Sequence, residues 1–143
     1  MANLDNLRGD GELTSPGFIA TWTETTNSNS GSAVASHAAE AGRSHYLCGI
    51  AFSCQSQEDG ETDEMTAEIL DGTTSKFKIS FGSHSVGTDA TNVFSDGQVI
   101  VHNFTTPILI TENALVSLTV AGNLNYARAY ASIWGFSNET RVE

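Results

Sequence analysis

The sequence predicts an all-β fold: an antiparallel two-sheet sandwich, jelly-roll-like, of about eight strands with an extended amino-terminal arm. Three observations predict it. Short segments rich in β-branched and aromatic residues alternate with period two, clusters of Gly, Asn, Asp and Ser separate them, and no stretch carries a convincing amphipathic-helix pattern. The chain has 143 residues, enough for one domain with a self-sufficient apolar core. Residues 1–17 are polar, contain Arg8-Gly9-Asp10, Gly11 and Pro16, and follow neither period. They read as an arm that drapes over a neighbour in an assembly, or as a frayed terminus. Residues 18–143 read as a single sandwich domain.

Each element follows from local pattern. Phe18 to Thr26 is β-branched and aromatic and stops at the Asn-Ser-Gly cluster 27–32. Ser32 to Ala39 is alanine-rich but too short for a stable helix, and is read as a strand ending at the turn Glu40-Ala41-Gly42-Arg43. His45 to Cys54 alternates, which predicts Tyr46, Cys48, Ile50, Phe52 and Cys54 on the core face and the small residues Gly49, Ala51 and Ser53, with Leu47, on the other. After a polar loop, Glu64 to Asp71 and Thr73 to Phe81 form a hairpin across Asp71-Gly72. Residues 82–97 read as a long loop. Gln98 to Phe104 is a strand stopped by Thr105-Thr106-Pro107, and Pro107 to Thr111 a separate short edge strand. Asn113 to Ala121 and Asn125 to Ser137 are the last two strands.

Charge excludes several functions. Seventeen acidic against six basic residues give −11 at pH 7, so the chain lacks the basic footprint that nucleic acid requires and is repelled by anionic lipid. No nucleic-acid or membrane partner is expected. Charged residues make up 16% of the chain, below the average of about 25%, while Ser and Thr number 16 each, so the surface is polar but sparsely charged. No signal peptide or membrane span is read in the sequence, which fits synthesis in a host cytoplasm. Cys48 and Cys54 fall in one strand, where six residues span about 20 Å, too far for the roughly 7 Å that a disulfide allows. Both are expected as half-buried thiols.

Candidate chemistry is thin. Glu58, Asp59, Glu61, Asp63 and Glu64 place five carboxylates in seven residues around Gly60. The cluster reads as a solvated outward loop, with calcium binding as the alternative, although its spacing does not match an EF-hand loop. His37, His45, His84 and His102 never lie closer than eight positions, and none forms a His-x-His metal motif. Gly-x-Ser-x-Gly and phosphate-binding loops are absent. No catalytic residue, cofactor or metal is expected. Trp22, Tyr126, Tyr130, Trp134 and Phe136 would stack sugars if they faced solvent, but same-parity aromatics on one strand read first as core.

From His45 onward the chain resembles the small β-sandwich proteins that decorate or cement the capsids of tailed bacteriophages. The resemblance lies in Arg43-Ser44-His45-Tyr46-Leu47-Cys48-Gly49-Ile50, in Ala67-Glu68-Ile69-Leu70-Asp71-Gly72-Thr73-Thr74, in the corner Phe104-Thr105-Thr106-Pro107-Ile108, in Asn113-Ala114-Leu115-Val116-Ser117-Leu118-Thr119-Val120 and in the closing Ile133-Trp134-Gly135-Phe136. It covers about two thirds of the chain. It implies a virion structural protein that sits as a homotrimer on the major capsid protein, on the outer capsid surface, and reinforces the lattice. The arm, with Leu4, Leu7, Leu13 and Phe18 as apolar anchors, is the expected capsid contact. The alternative is a receptor- or glycan-binding sandwich module of a tail fibre or head fibre. In an assembly of three acidic chains, the Glu58–Glu64 loop must point into salt-screened solvent and the sparsely charged strand faces toward the contact.

Overall fold

The computed structural model describes residues 20–29, 32–55, 62–84, 99–122 and 128–139. Among these, eight strands form: β1 (Trp22–Ser28), β2 (Ser32–His37), β3 (Arg43–Gln55), β4 (Thr62–Asp71), β5 (Thr74–His84), β6 (Val99–Leu109), β7 (Val116–Gly122) and β8 (Arg128–Glu139). They build two four-stranded antiparallel sheets, the first in the order β1-β8-β3-β6 and the second β2-β7-β4-β5. The pairs β1/β8, β2/β7, β3/β6 and β4/β5 are nested, so the chain is one long two-stranded ribbon folded at the β4–β5 hairpin and rolled into a sandwich. This is the jelly-roll arrangement the alternating strands predict. The hairpin turns where expected: Asp71 pairs with Thr74, and between them Gly72 has φ 58°, a left-handed conformation that glycine adopts without a Cβ clash.

Period-two alternation places one face of each sheet inside. Leu47, Ile50 and Ile133 from the first sheet meet Met65, Ile69, Leu118 and Val120 from the second, all fully buried. Each such side chain contributes about 1.5–3 kcal/mol by leaving water. The edge strand β5 carries Lys76 and Lys78, which blunt it against pairing with another chain.

Three local expectations are corrected. The core face of β3 changes parity, because the register slips between Leu47 and Gly49. His45 and Leu47 therefore point inward before the bulge and Ile50, Phe52 and Cys54 after it, leaving Tyr46 and Cys48 outside the apolar core cluster. Thr105-Thr106-Pro107 does not end a strand: β6 runs through Pro107, and residues 104–107 bulge between the pairs Gly49–Asn103 and Leu47–Ile108. An edge strand tolerates this, since the missing proline N–H removes no ladder bond. Finally, β7 starts at Val116, because Asn113 has φ 61° and its Oδ1 accepts the Gly42 N–H at 2.9 Å, fixing a turn where a strand was expected.

Cys48 and Cys54 are reduced and buried, and burial pushes the Cys48 thiol above its ordinary pKa. The native protein is expected to resist a disulfide-exchange reagent and to titrate two thiols per chain only in denaturant. Rapid reaction in the native state would contradict this packing.

Candidate functional site

Two features rise above the sandwich itself. The first is the outer face of the first sheet. Along β1 the inward residues are Trp22, Glu24, Thr26 and Ser28, so Thr23, Thr25 and Asn27 face out. Their partners across β8 are Trp134, Ser132 and Tyr130, which in turn meet Gly49, Ala51 and Ser53 of β3. On the edge strand, Val101 pairs with Ala51 and Val99 with Ser53. Among the described residues this lattice contains no charged side chain; along β8 the charges stand only at its ends, Arg128 and Glu139. Val99 is 69% exposed, Val101 59% and Tyr130 41%. The Trp134 indole lies across Gly49, where any Cβ would overlap it, so the glycine lets the ring lie close to the sheet.

The opposite outer face differs in kind. There Glu68 of β4 faces Lys78 of β5, their charged groups 3.7 Å apart, and Lys76 reaches the Asp71 carboxylate at 3.2 Å. The partly exposed Glu68–Lys78 pair keeps this face solvated and contributes little to stability, whereas the Asp71 carboxylate is buried. Among the described residues the sandwich thus has one outer face that bears an ion pair and one whose middle is uncharged and carries exposed Val99, Val101 and Tyr130.

The second feature lies inside, where the chain crosses from β2 to β3. His37 ends β2 and His45 begins the inward run of β3, and their rings meet edge to face with centroids 4.7 Å apart. The Trp22 indole stacks on His37 at 4.3 Å. His37 Nδ1 lies 2.9 Å from Glu24 Oε1 and its Nε2 lies 3.3 Å from Glu40 Oε1, while Arg43 approaches Glu40 Oε2 at 3.4 Å.

His45 is fully buried and its proton position follows from its partners. Nε2–H donates to the Ala38 carbonyl at 3.0 Å, because a carbonyl only accepts. Nδ1 then accepts from the Ser137 hydroxyl at 2.7 Å, and Ser137 Oγ accepts the Trp22 Nε1–H at 3.1 Å. Burial, followed by the neighbouring His37, lowers the His45 pKa, outweighing the Ala38 hydrogen bond and Glu40, which raise it. His45 is therefore a neutral imidazole linked to the Ala38 carbonyl and, through Ser137 of β8, to Trp22 of β1.

The residues singled out in the sequence fare differently. Leu4, Leu7, Leu13 and Phe18 of the arm, and Glu58, Asp59 and Glu61 of the acidic loop, lie outside the described residues, as do His84's neighbours beyond β5 and Tyr126. Asp63 and Glu64 belong to β4 rather than to a loop, opposite Ser83 and Gly82. The aromatic set divides: Trp22 faces inward onto the histidines, whereas Tyr130 and Trp134 stand on the outer face, which corrects their reading as core. Phe136 stacks on Tyr46 with centroids 4.8 Å apart. The His37–His45 pairing was not legible, because it depends on strands from different sheets. One signal pointed to it: Glu24 occupies an inward position, and an inward carboxylate requires a partner.

No protein-family model matches the chain, and no curated protein matches it. Among solved structures it is similar to dimeric latent PorU from Porphyromonas gingivalis, with a TM-score of 0.48 and 14% identity over 90% of this chain. The chain spans 14% of that protein's length, and likeness at this level carries nothing about activity, substrate or partner.

Proposed function

We propose that this chain is a structural virion protein that docks on the outer surface of a tailed-phage capsid and reinforces the lattice. The observation that carries the docking half is the uncharged outer face of β1-β8-β3-β6, with Val99, Val101 and Tyr130 exposed on it. Interface centres are depleted of charge and enriched in aromatic residues, and the opposite face has neither property to the same degree. The capsid half rests on the sequence resemblance, and the jelly-roll is a fold that capsid and lectin domains share. Homotrimeric assembly on the major capsid protein belongs to the same reading, because repeated weak contacts gain strength through multivalency.

This reading adds to the expected arm contact one particular strand face, the outer face of β1-β8-β3-β6. Capsids lacking the protein are mixed with wild type and with the Val99→Glu, Val101→Glu double variant, then sedimented. Two carboxylates on an edge strand leave the core untouched, so the variant should fold normally and lose about tenfold or more in apparent affinity. Val34→Glu, on the second sheet's outer face and 49% exposed, should bind as wild type does. Equal retention of wild type and double variant would overturn the face assignment.

A second reading is favoured by one observation, the outward placement of Tyr130 and Trp134. Rings on the outer face of a sheet, Tyr130 exposed and Trp134 half-buried, suit stacking on sugar faces, as a fibre-borne glycan-binding module would use them. Glycan-array binding that Tyr130→Ala abolishes, with no retention on capsids, would replace the first reading by this one.

A further inference from the structure

The histidine cluster has a geometry that the docking reading does not use. His37 belongs to the second sheet and His45 to the first, and Glu40 lies on the connection between them. One donor atom from each of the three residues lies within 4.8 Å of the others. Each imidazole also has its Nδ1 held by an outer group, Glu24 Oε1 for His37 and Ser137 Oγ for His45. Such an outer partner on the second ring nitrogen is what orients a ligating histidine. It leaves Nε2 of each ring as the ligating atom.

We propose that His37, Glu40 and His45 form a binding site for a divalent transition ion, with Zn²⁺ the best-fitting species, stapling the two sheets where the chain crosses between them.

Two imidazoles and one carboxylate suit a borderline ion of the zinc type rather than a hard ion that takes only oxygen. The 3.3 Å separation of His37 Nε2 and Glu40 Oε1 matches the edge of a tetrahedron with bonds of roughly 2.0–2.1 Å. The His45 side must close further, and its hydrogen bonds permit this. Its proton shifts from Nε2 to Nδ1, where Ser137 Oγ turns from donor to acceptor while still accepting from Trp22. The Ala38 carbonyl released in this exchange belongs to an exposed residue and can take a water. Glu40, with 39% of its side chain exposed, leaves one side of the site open for a water as fourth ligand. A chain of net charge −11 also concentrates cations around itself.

The inference is independent of the capsid reading and is tested on the full chain. Chelator-stripped protein is titrated calorimetrically with zinc sulfate, and in parallel with Co²⁺ followed by visible absorption. One equivalent of Zn²⁺ per chain is expected, insensitive to excess Ca²⁺, with Co²⁺ giving the intense bands of a low-coordinate site. His37→Ala and the more conservative Glu40→Gln should each weaken binding by about 100-fold or more, and the positioning variant Glu24→Gln by about 10- to 100-fold. His102→Ala, on exposed edge strand β6, should change nothing. Circular dichroism of each metal-free variant establishes that it is folded. Failure of the wild type to take up one equivalent, or uptake unchanged in both His37→Ala and Glu40→Gln, would overturn the site.

Discussion

Replacing Gly135 with alanine is expected to destabilise the protein by about 3 kcal/mol or more, the largest effect of any single added methyl group. Gly135 lies in β8 between Trp22 of β1 and Leu47 of β3. A Cβ there would overlap the Tyr46 carbonyl oxygen and the Trp22 indole. The carbonyl is backbone of the neighbouring central strand, so relief requires parting β8 from β3 at the middle of the first sheet. The Trp22 ring has little room either, because it is held by His37 on its face and by Ser137 at its Nε1. Gly42→Ala supplies the contrast. No atom lies within 4 Å of a Cβ there, and only the φ of 71° penalises it, by about 1–2 kcal/mol. Urea denaturation of both variants checks the ranking, and a Gly135→Ala loss below that of Gly42→Ala would contradict the close approach.

Asp71→Asn is expected to cost about 2–3 kcal/mol at pH 7. The carboxylate is 5% exposed, at the end of β4, and ties the β4–β5 hairpin to the segment after β6. It accepts the Thr111 N–H at 3.1 Å, the Thr111 hydroxyl at 2.8 Å and the Lys76 ammonium at 3.2 Å. An asparagine amide in its place removes the charge and sets an N–H₂ against at least one of these donors. Burial alone would raise the Asp71 pKa, but the Thr111 hydrogen bonds and Lys76 outweigh it and hold the group below the ordinary value. A depressed carboxyl contributes stability that is complete above its unfolded pKa of about 3.9 and is lost as pH falls through the folded value. The advantage of wild type over Asp71→Asn should therefore be full at pH 7 and shrink below about pH 4. An advantage independent of pH across that range would remove the charge from the explanation.

The strands were legible where one rule governed them. In β4 and β7 the period-two pattern sets Met65, Ala67 and Ile69, and Val116, Leu118 and Val120, apart from their neighbours, and in the structure all six are fully buried. Reading failed where a local exception met a long-range cause. The β3 bulge at Leu47–Gly49 reverses facing within one strand, and nothing in that segment announces it except a glycine whose role is to admit the Trp134 indole. Pro107 reads as a stop until β6 is known to be an edge, which is a property of the sheet order. The histidine cluster failed for the same reason at longer range. Trp22 and Ser137 stand 115 positions apart, and only the nesting of β1 against β8 brings both to His45. The uncharged outer face was half legible: the small residues of β3 and the same-parity aromatics of β8 were visible, but their common outward direction required the register between the strands.

The central claim is that the outer face of β1-β8-β3-β6 docks on a capsid. Cryo-electron microscopy of capsids with and without the protein tests it most directly. The account predicts added density at three-fold or quasi-three-fold positions, into which the sandwich fits with Val99, Val101 and Tyr130 against the major capsid protein and the Glu68–Lys78 face outward. Absence of added density, or a fit with the Glu68–Lys78 face against the capsid, would contradict it.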